Sequence, residues 1–501
     1  MSTNSSDPLP ARPELPTELL IRIFAHLQAE DLLSVQHTCR RFCDIISGSA
    51  SLQYFLRTEI NLLEDLLPSD FSLHDRVVLL KHHETAWNNL QLNEFTRFTT
   101  NSEAHQARYI LQDGYLIYNA VTNPPRYGYI DLYSSPARPN AEAPWTHISL
   151  AALRPLSDIV FAVDLNLVVA ISKSGQDGFP EASFLEFTTG APHPLSLLYT
   201  TSLPRKIAVE ILGDYILVTM ECESCGHSTL FAVSWITGST TQLYRLFGVL
   251  RVVVIDPDNS LFALIKSTTN SIHICRLQFE SADPFLHTLC FLRFPGNPVV
   301  SLSGMEWIPT SKRQDRTGPQ SSRRRPFPFR SHRASTIGLV LSYKTRDGGV
   351  CRYSMFASVG ALLSVAHSGF RLVHWADWGP ACTRIHPLGG IFPKPAGPFW
   401  ITSYAPLVVR DYDSLRARHI QKENKSMSSI PSANSLGSTS TQLFGEHWVG
   451  GKVKTHLPFR EFMAGGLFLT RVVQVVADRE WIVVISTDEK GEQNFYYGVP
   501  C

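Results

Sequence analysis

The chain has 501 residues and a nearly balanced charge, with 45 Lys and Arg against 44 Asp and Glu. This length allows more than one domain, and the charge balance excludes a chain dominated by attraction to nucleic acid or to anionic membranes. Nine cysteines, an odd number scattered from Cys39 to Cys501, do not resemble a disulfide framework and favour a reducing compartment.

The N-terminal residues 1–14 are polar and rich in proline, which predicts disorder. They lack the basic and apolar regions of a secretory signal. The most apolar runs further on, residues 159–171 and 466–477, are short and interrupted by Asp164 and Arg471, so no membrane span is predicted. We therefore expect an intracellular protein, located in the cytoplasm, the nucleus or both.

Residues 15–58 predict a module of three short helices. The first spans Leu19–Leu27 and has a broad apolar face. Asp31 is expected to cap the second helix, and the third, Thr38–Ser47, is expected to end at Gly48 in the left-handed conformation. Three such short helices bury their own apolar surface poorly, which indicates that a partner covers the remainder.

In order, the module contains Leu15-Pro16-x-Glu18-Leu19-Leu20, Ile23-Phe24, Leu27, Asp31-Leu32-Leu33, Val35 and Cys39-Arg40-Arg41-Phe42. This order of residues resembles an F-box. The resemblance implies docking on a Skp-type adaptor and, through it, on a cullin–RING ubiquitin ligase. Two departures concern Phe42, where the family usually has Trp, and residues 48–54, which replace a DPxLW-like segment. Some of the matching side chains must form the core of the module, and the sequence does not separate these from the adaptor-binding ones. The candidate adaptor-binding residues are Leu15, Pro16, Glu18, Leu19, Leu20, Ile23, Phe24, Leu27, Asp31, Leu32, Leu33, Val35, Cys39 and Phe42.

A helical linker is predicted over residues 59–94. Helix or helical turns are expected to continue from Leu52 to Leu67, up to Pro68. A new helix, Ser72–Leu90, begins with Ser72 and with Asp75 three residues later, the spacing of a capping box. This helix is similar to a linker helix of fungal F-box proteins, where it precedes a β-rich domain.

From residue 95 to residue 501 the pattern predicts a large all-β domain. Short apolar runs alternate with Asp, Asn and Gly turns, as in residues 109–118, 159–172 and 207–220. A unit of two apolar strands and a tight turn recurs, which favours an irregular β-propeller; a pair of β-sandwiches is the alternative. The segment Phe231–Gly238 resembles the end of the third strand in WD-type blades.

Two segments interrupt the β pattern. Residues 310–335 are basic and contain proline, and residues 416–441 are rich in Ser and Asn, so both are predicted to be mobile loops. The clusters Lys312-Arg313 and Arg323-Arg324-Arg325 match the spacing of a bipartite nuclear localisation signal. A solvated basic loop is the reading that we favour.

Signals of a metal or catalytic site are weak. Cys222, Cys225 and His227 have the spacing of half a zinc site, but no second pair of ligands follows, and a hairpin tip is the simpler interpretation. His82 and His83 are adjacent on the linker helix and point to different faces. The motifs of serine hydrolases, phosphate-binding loops, dinucleotide folds and zinc proteases do not occur. No metal, cofactor or catalytic residue is predicted.

Together these patterns predict an α+β multidomain protein: an F-box, a helical linker and a β-propeller. The favoured function is that of a non-catalytic substrate receptor in an SCF-type ubiquitin ligase, with the propeller binding an unknown target protein. Membrane and nucleic-acid partners are not expected. Two alternatives stay open, namely a propeller-based enzyme or small-ligand binder whose F-box controls its turnover, and an adaptor-binding scaffold outside any ligase. Trp375, Trp378 and Trp400 are candidates for exposed residues that bind the target, but each one is interpreted as a core residue.

Overall fold

The computed structural model describes residues 15–61, 63–65, 71–89, 96–100, 108–120, 125–132, 145–153, 156–172, 180–197, 200–202, 207–221, 227–247, 250–256, 259–266, 271–280, 283–295, 299–305, 329–331, 336–345, 348–369, 372–388, 394–396, 399–404, 407–411, 435–437, 441–444, 452–455, 459–463, 472–477, 482–487 and 493–498. Up to residue 89 these residues are mainly helical, and from residue 96 onward they are mainly strands. This division follows the change from helical to alternating apolar patterns in the sequence.

Five helices form the N-terminal part: α1 Thr17–Phe24, α2 Ala29–Gln36, α3 Arg40–Gly48, α4 Ala50–Asn61 and α5 Leu73–Asn89. A short strand, β1 (Leu63–Asp65), lies between α4 and α5. The first four helices share one apolar core, to which each of them contributes a fully buried aliphatic or aromatic side chain. Helices this short are not stable alone, so this shared core holds them in place.

The ends of two helices differ from the sequence-based expectation. Helix α2 begins at Ala29 behind Gln28, so Asp31 lies inside the first turn and is not the cap. There its negative charge still favours the positive end of the helix dipole. Helix α3 includes Gly48 and is followed by Ser49 in an extended conformation, so the expected left-handed glycine cap is wrong. The Ser49 N–H donates to the Ile45 carbonyl at 3.0 Å, and α4 begins at the next residue, Ala50.

The linker agrees with the sequence-based prediction at the start of α5 and differs from it after α4. Helix α4 ends at Asn61, and β1 occupies part of the range predicted as helix up to Leu67. In agreement with the capping-box prediction, the Asp75 N–H donates to Ser72 Oγ at 3.2 Å, and this hydroxyl donates to the Asp75 carboxylate at 2.6 Å. Helix α5 therefore starts where the sequence indicates, directly after Ser72.

Strands make up most of the remaining described chain. They are β2 Thr96–Thr100, β3 Arg108–Gln112, β4 Tyr115–Ala120, β5 Arg126–Asp131, β6 Thr146–Ser149, β7 Leu156–Ala162, β8 Leu167–Ser172, β9 Glu181–Glu186, β10 Thr200–Ser202, β11 Ile207–Leu212, β12 Tyr215–Glu221, β13 His227–Ser234, β14 Thr240–Phe247, β15 Leu250–Asp256, β16 Leu261–Lys266, β17 Ser271–Glu280, β18 Asp283–Arg293, β19 Val299–Met305, β20 Phe329–Ser331, β21 Thr336–Lys344, β22 Val350–Ser358, β23 Leu372–Val373, β24 Thr383–Pro387, β25 Lys394–Ala396, β26 Phe399–Tyr404, β27 Leu407–Asp411, β28 Ser435–Gly437, β29 Thr441–Phe444, β30 Lys452–Thr455, β31 Phe459–Met463, β32 Val472–Ala477, β33 Ile482–Thr487 and β34 Gln493–Gly498. All neighbouring strands pair antiparallel except β18 and β23, which are parallel.

Among the described strands, seven sheets have four or five members. The four-stranded sheets are β3-β4-β5-β6, β7-β8-β9-β10, β11-β12-β13-β14, β19-β21-β22-β24 and β32-β33-β34-β2; the five-stranded sheets are β15-β16-β17-β18-β23 and β25-β26-β27-β31-β28. The first strands of successive sheets contact one another, as β11 does with β7 and with β15. This arrangement is a β-propeller in which each sheet is one blade, as predicted.

The ring of blades closes through strands from the two ends of the β region. Strand β2 forms the outer strand of the last blade by pairing with β34, with Thr96 opposite Tyr497 and Thr100 opposite Gln493. The neighbouring first blade contacts this last blade, where the Gln474 side-chain amide donates to the Tyr109 carbonyl at 3.0 Å. Because the closing strand comes from the start of the β region, unfolding one end of the propeller also removes a strand from the other.

Turn residues predicted from the sequence set the hairpins within the blades. Asp113 and Gly114, with φ of 51° and 73°, form the two-residue turn between β3 and β4. Such turns need two left-handed residues, which Asp and Gly tolerate well. Asn166, with φ of 53°, ends a short 3₁₀ turn before β8. The predicted breaks in these apolar runs are therefore confirmed.

Two helices inside the propeller were not predicted: α6 Val359–His367 and α7 Trp375–Cys382. Ser358 caps α6 by accepting from the Ala361 N–H. The Trp378 side chain is fully buried, and its indole N–H donates to the Arg293 carbonyl at 2.9 Å. Trp378 is thus a core residue, as interpreted, whereas Trp375 is half-buried and the Trp400 side chain lies outside the described residues.

Most of the two predicted insertions lies outside the described residues, including Lys312-Arg313 and Arg323-Arg324-Arg325. Within residues 310–335, however, the described residues include β20, which pairs with β1 of the helical part. Within residues 416–441 they include β28, which joins the blade of β31. The prediction of continuous loops is wrong at these two short strands, since each finds a pairing partner that is distant in sequence.

Candidate functional site

The first helix of the chain presents an exposed apolar face. Leu15, Leu19 and Ile23 are 50%, 44% and 49% exposed. They are spaced four residues apart, so they lie on one side of α1 and of the turn that leads into it. Exposed apolar side chains in such a row contribute little to the stability of the fold. The row therefore indicates a surface that binds a partner. We call these three residues the α1 face.

The helical module already has a complete core beneath this face. Leu20, Phe24, Leu32 and Leu33 are all at most 5% exposed and pack in one cluster with residues of α3 and α4. The rings of Phe24 and Phe42 meet edge to face with centroids 5.2 Å apart, which joins α1 to α3. The structure therefore separates the apolar candidate residues into core and surface, a division that the sequence left open.

The other candidate residues outside the core differ in exposure. Pro16, Glu18, Asp31 and Cys39 are exposed. Leu27, Val35 and Phe42 are half-buried and pack against the core cluster while keeping part of their surface accessible. These seven residues thus keep part or most of their surface accessible.

A residue that the sequence reasoning did not single out holds the beginning of this surface. The Arg41 guanidinium, on α3, donates to the Leu15 carbonyl, and the Leu20 N–H donates to the Pro16 carbonyl at 3.2 Å. Pro16 has φ of −56°, close to the value that its ring imposes. These bonds fix the segment before α1, so the Leu15 side chain is presented on a firm backbone and loses little entropy on binding. The signal in the sequence is the basic pair Arg40-Arg41 ahead of Phe42, which carries the F-box resemblance.

A polar network joins the module to the linker helix α5. Arg57 on α4 forms an ion pair with Glu84 on α5, and their side chains are 3% and 12% exposed. Glu84 also accepts from the Asn61 side-chain amide at 2.7 Å. Asp65 of β1 accepts from Tyr54 and forms an ion pair with Arg76. Helices α4 and α5 and strand β1 are therefore held together as one unit.

Two observations bear on metal binding and thiol chemistry in the propeller. No group of three or more His, Cys, Asp or Glu side chains able to hold a metal ion occurs among the described residues. Cys222 and Cys225 lie outside them, and His227 begins β13. Burial raises the pKa of Cys275 to about 12 and that of Cys290 to about 11, so both thiols stay protonated near neutral pH.

One acidic side chain of the propeller lies in an unusual environment. Glu210 is on β11, the first strand of its blade, between the buried residues Val209 and Ile211. Glu210 as a whole is half-buried, and burial of its carboxyl raises the pKa to about 7. A single carboxyl of this kind does not form a catalytic constellation.

The described helices contain none that is long and apolar enough to cross a membrane.

Comparison with known proteins identifies the helical module. An F-box-like family model matches residues 13–54, so the chain carries an F-box-like domain at its N-terminus. This match covers the α1 face and the core beneath it except for Leu56 and Ile60. Among curated proteins, none matches this sequence significantly.

Solved structures match the chain only weakly. A luciferin-regenerating enzyme is 9% identical with a TM-score of 0.30, covering 74% of this chain and 96% of its own. The calcium-binding protein regucalcin from Agrobacterium tumefaciens is 10% identical with a TM-score of 0.27, covering 53% of this chain and 85% of its own. A post-proline cleaving enzyme from Rickettsia typhi is 9% identical with a TM-score of 0.40, covering 94% of this chain and 59% of its own. Scores this low carry no argument about activity.

Proposed function

We propose that this protein is a non-catalytic substrate receptor of an SCF-type ubiquitin ligase. The F-box-like domain binds a Skp-type adaptor, which connects the chain to a cullin, and the β-propeller binds a target protein. The observation that carries the proposal is the α1 face, which stays exposed although the module beneath it has a full core. The F-box-like match over the same residues supports it.

In this proposal Leu15, Leu19 and Ile23 make the main apolar contacts with the adaptor. The accessible residues around them complete the contact surface: Pro16, Glu18, Leu27, Asp31, Val35, Cys39 and Phe42. The buried residues Leu20, Phe24, Leu32 and Leu33 act indirectly, by fixing the helices that carry the surface. This division favours substitutions on the α1 face as a test, because they leave the core unchanged.

The receptor contributes to ubiquitin transfer by position. Binding adaptor and target at once raises the effective concentration of a target lysine near the activated ubiquitin carrier. No catalytic group on this chain is needed for that effect. The ligase acts on intracellular targets, so we propose the cytoplasm, the nucleus or both as its location.

The test measures adaptor binding by a double variant of the α1 face. Each of Leu19 and Ile23 has about half of its side chain left to bury, which contributes about 1 kcal/mol. Leu19→Ala with Ile23→Ala is therefore expected to weaken binding to a purified Skp-type adaptor about 30-fold in calorimetric titration. The matched control is Leu195→Ala with Leu197→Ala, because these propeller leucines are 47% and 77% exposed.

The control variant is expected to bind like the parent protein. Binding of the Leu19 and Ile23 variant within threefold of the parent (about 0.6 kcal/mol) would refute the adaptor-binding role of the α1 face. Co-purification of the cullin with the parent protein then separates a ligase receptor from a scaffold, since a scaffold binds the adaptor without it.

A further inference from the structure

The helical part and the propeller are connected by a strand pair as well as by the chain itself. Strand β20, which follows the first strand of its blade, returns to the helical part and pairs antiparallel with β1. In the register, Leu63 is opposite Ser331, and Glu64 is opposite Arg330. This pair joins residues that are far apart in sequence and belong to two different folding units.

Strand β1 is firmly attached to the helices on its side. The Leu63 side chain is buried and packs with Leu80 of α5. Asp65 is held by Tyr54 of α4 and by Arg76 of α5. Any force applied to β1 is therefore transmitted to α4 and α5, which move with it as one body.

Strand β20 is attached to the propeller by a short connection. Five residue steps lead from Ser331 to Thr336, the first residue of β21, and an extended chain covers about 18 Å over that length. The covalent connection on the other side takes seven steps from Asn89 to Thr96 of β2, or about 25 Å. Neither attachment reaches further than the length of α5, which has 17 residues and is about 26 Å long.

The two attachments reach different blades. Strand β21 belongs to the blade of β19, and β2 belongs to the last blade, with the blade of β25 between them. One attachment leaves a body free to rotate about the connecting chain, whereas two separated attachments remove that freedom. We propose that the pairing of β1 with β20 fixes the orientation of the F-box-bearing helical unit on the propeller.

The consequence for ubiquitin transfer rests on the proposed function. A target held by the propeller is then presented at a fixed distance and angle from the adaptor, which narrows the distribution of lysine positions around the ubiquitin carrier. Effective concentration is highest when the connection matches the required span and falls when the connection loosens. The pairing of β1 with β20 is thus a device for positioning.

The first experiment tests the strand pair itself in the full-length protein. Opposed residues of an antiparallel pair have Cα atoms about 4.5–5.5 Å apart, within the range that a disulfide bridges. Glu64→Cys with Arg330→Cys is expected to give a peptide linked between residues 64 and 330 after mild oxidation, detected by mass spectrometry and lost on reduction. The two single variants, which keep the native cysteines, are the controls. Absence of the linked peptide in the folded double variant would overturn the proposal.

The second experiment tests the effect of the pair on orientation. Replacement of Phe329-Arg330-Ser331 by Gly-Ser-Gly is expected to increase the radius of gyration and the maximum dimension in small-angle X-ray scattering. Replacement of Gln320-Ser321-Ser322 in the same segment by Gly-Ser-Gly is the matched control, expected to scatter like the parent. Scattering of the first variant that superimposes on the parent would also overturn the proposal.

Adaptor binding distinguishes this proposal from the proposed function. The Gly-Ser-Gly variant at residues 329–331 keeps the α1 face and is expected to bind the Skp-type adaptor as the parent does. If neither protein binds the adaptor while the 64–330 linkage forms, the receptor function fails and the orientation device stands. If both proteins bind the adaptor and the 64–330 linkage does not form, the orientation device fails and the adaptor-binding role stands.

Discussion

Glu84 is the residue whose removal should show how the linker helix is held. It is the acidic partner of Arg57, which is only 3% exposed, and it accepts from Asn61. Replacing Glu84 by Ala leaves the Arg57 charge buried without this partner. Breaking a buried ion pair in this way costs about 3–5 kcal/mol, because the remaining buried charge loses the opposite charge of Glu84. Alanine is a good helix former, so the backbone of α5 contributes little to this loss.

Hydrogen exchange is the appropriate assay, because it reports local opening in a chain of several folding units. Peptides from α4 and α5 are expected to exchange about 10²- to 10⁴-fold faster in Glu84→Ala, up to the limit set by complete unfolding. Peptides from the blade of β7 are expected to stay unchanged. The control is Glu59→Ala, which removes a half-buried carboxyl from α4 itself.

A combined variant separates the charge effect from simple loss of packing. Arg57→Met with Glu84→Leu removes both charges and keeps apolar volume, and such replacements of buried pairs are often neutral or stabilising. The combined variant is therefore expected to exchange more slowly than Glu84→Ala. The reasoning would be refuted if Glu84→Ala exchanged within threefold of the parent, or if the combined variant were worse than the single one.

Two further predictions concern the propeller. The folded state holds the Glu210 proton more tightly than the unfolded chain, so its stabilising contribution is full below pH 4.5 and is lost as the pH rises through about 7. At pH 8, Glu210→Gln is expected to raise the free energy of unfolding by about 1–3 kcal/mol and so to raise the unfolding midpoint. At pH 4 the midpoint is expected to stay unchanged. An equal effect at both pH values would contradict this. Trp235 is fully buried and donates to the Gly213 carbonyl at 2.9 Å. Trp235→Phe is expected to destabilise the protein by about 1–3 kcal/mol in thermal unfolding, and an unchanged midpoint would show that the bond contributes nothing.

The sequence predicts local structure well where the signal is local. Apolar residues four apart indicate α1, and the pair Asp113-Gly114 indicates a hairpin, because each depends only on neighbouring residues. The choice between Leu19 and Leu20 is different. Both are leucines on adjacent positions, and which one is buried depends on where α3 and α4 pack. The α1 face was therefore predicted as a set of residues, and only the structure separates its exposed members from the core.

Two other features escaped the sequence for related reasons. Helix α6 is apolar on most sides, with Leu362, Leu363 and Ala366 all buried, so its pattern does not differ from that of a short buried strand. Strand β20 has only three residues and follows a basic segment rich in proline, which favours a loop. Its pairing with β1 arises from tertiary contact, and no local pattern specifies it.

The α1 face and the β1–β20 pair make different contributions, and they are physically separable. Apolar contact at the α1 face determines how tightly an adaptor is held, because affinity follows the surface removed from water. The strand pair adds nothing to that surface and changes only the freedom of the helical unit relative to the propeller. A receptor therefore needs both, since tight binding without fixed orientation spreads the target lysine over a larger volume. Loss of the strand pair should leave the affinities for the adaptor and for the target intact and reduce only the rate of ubiquitin transfer. Loss of the α1 face should instead prevent the ligase from assembling, so that no transfer is observed.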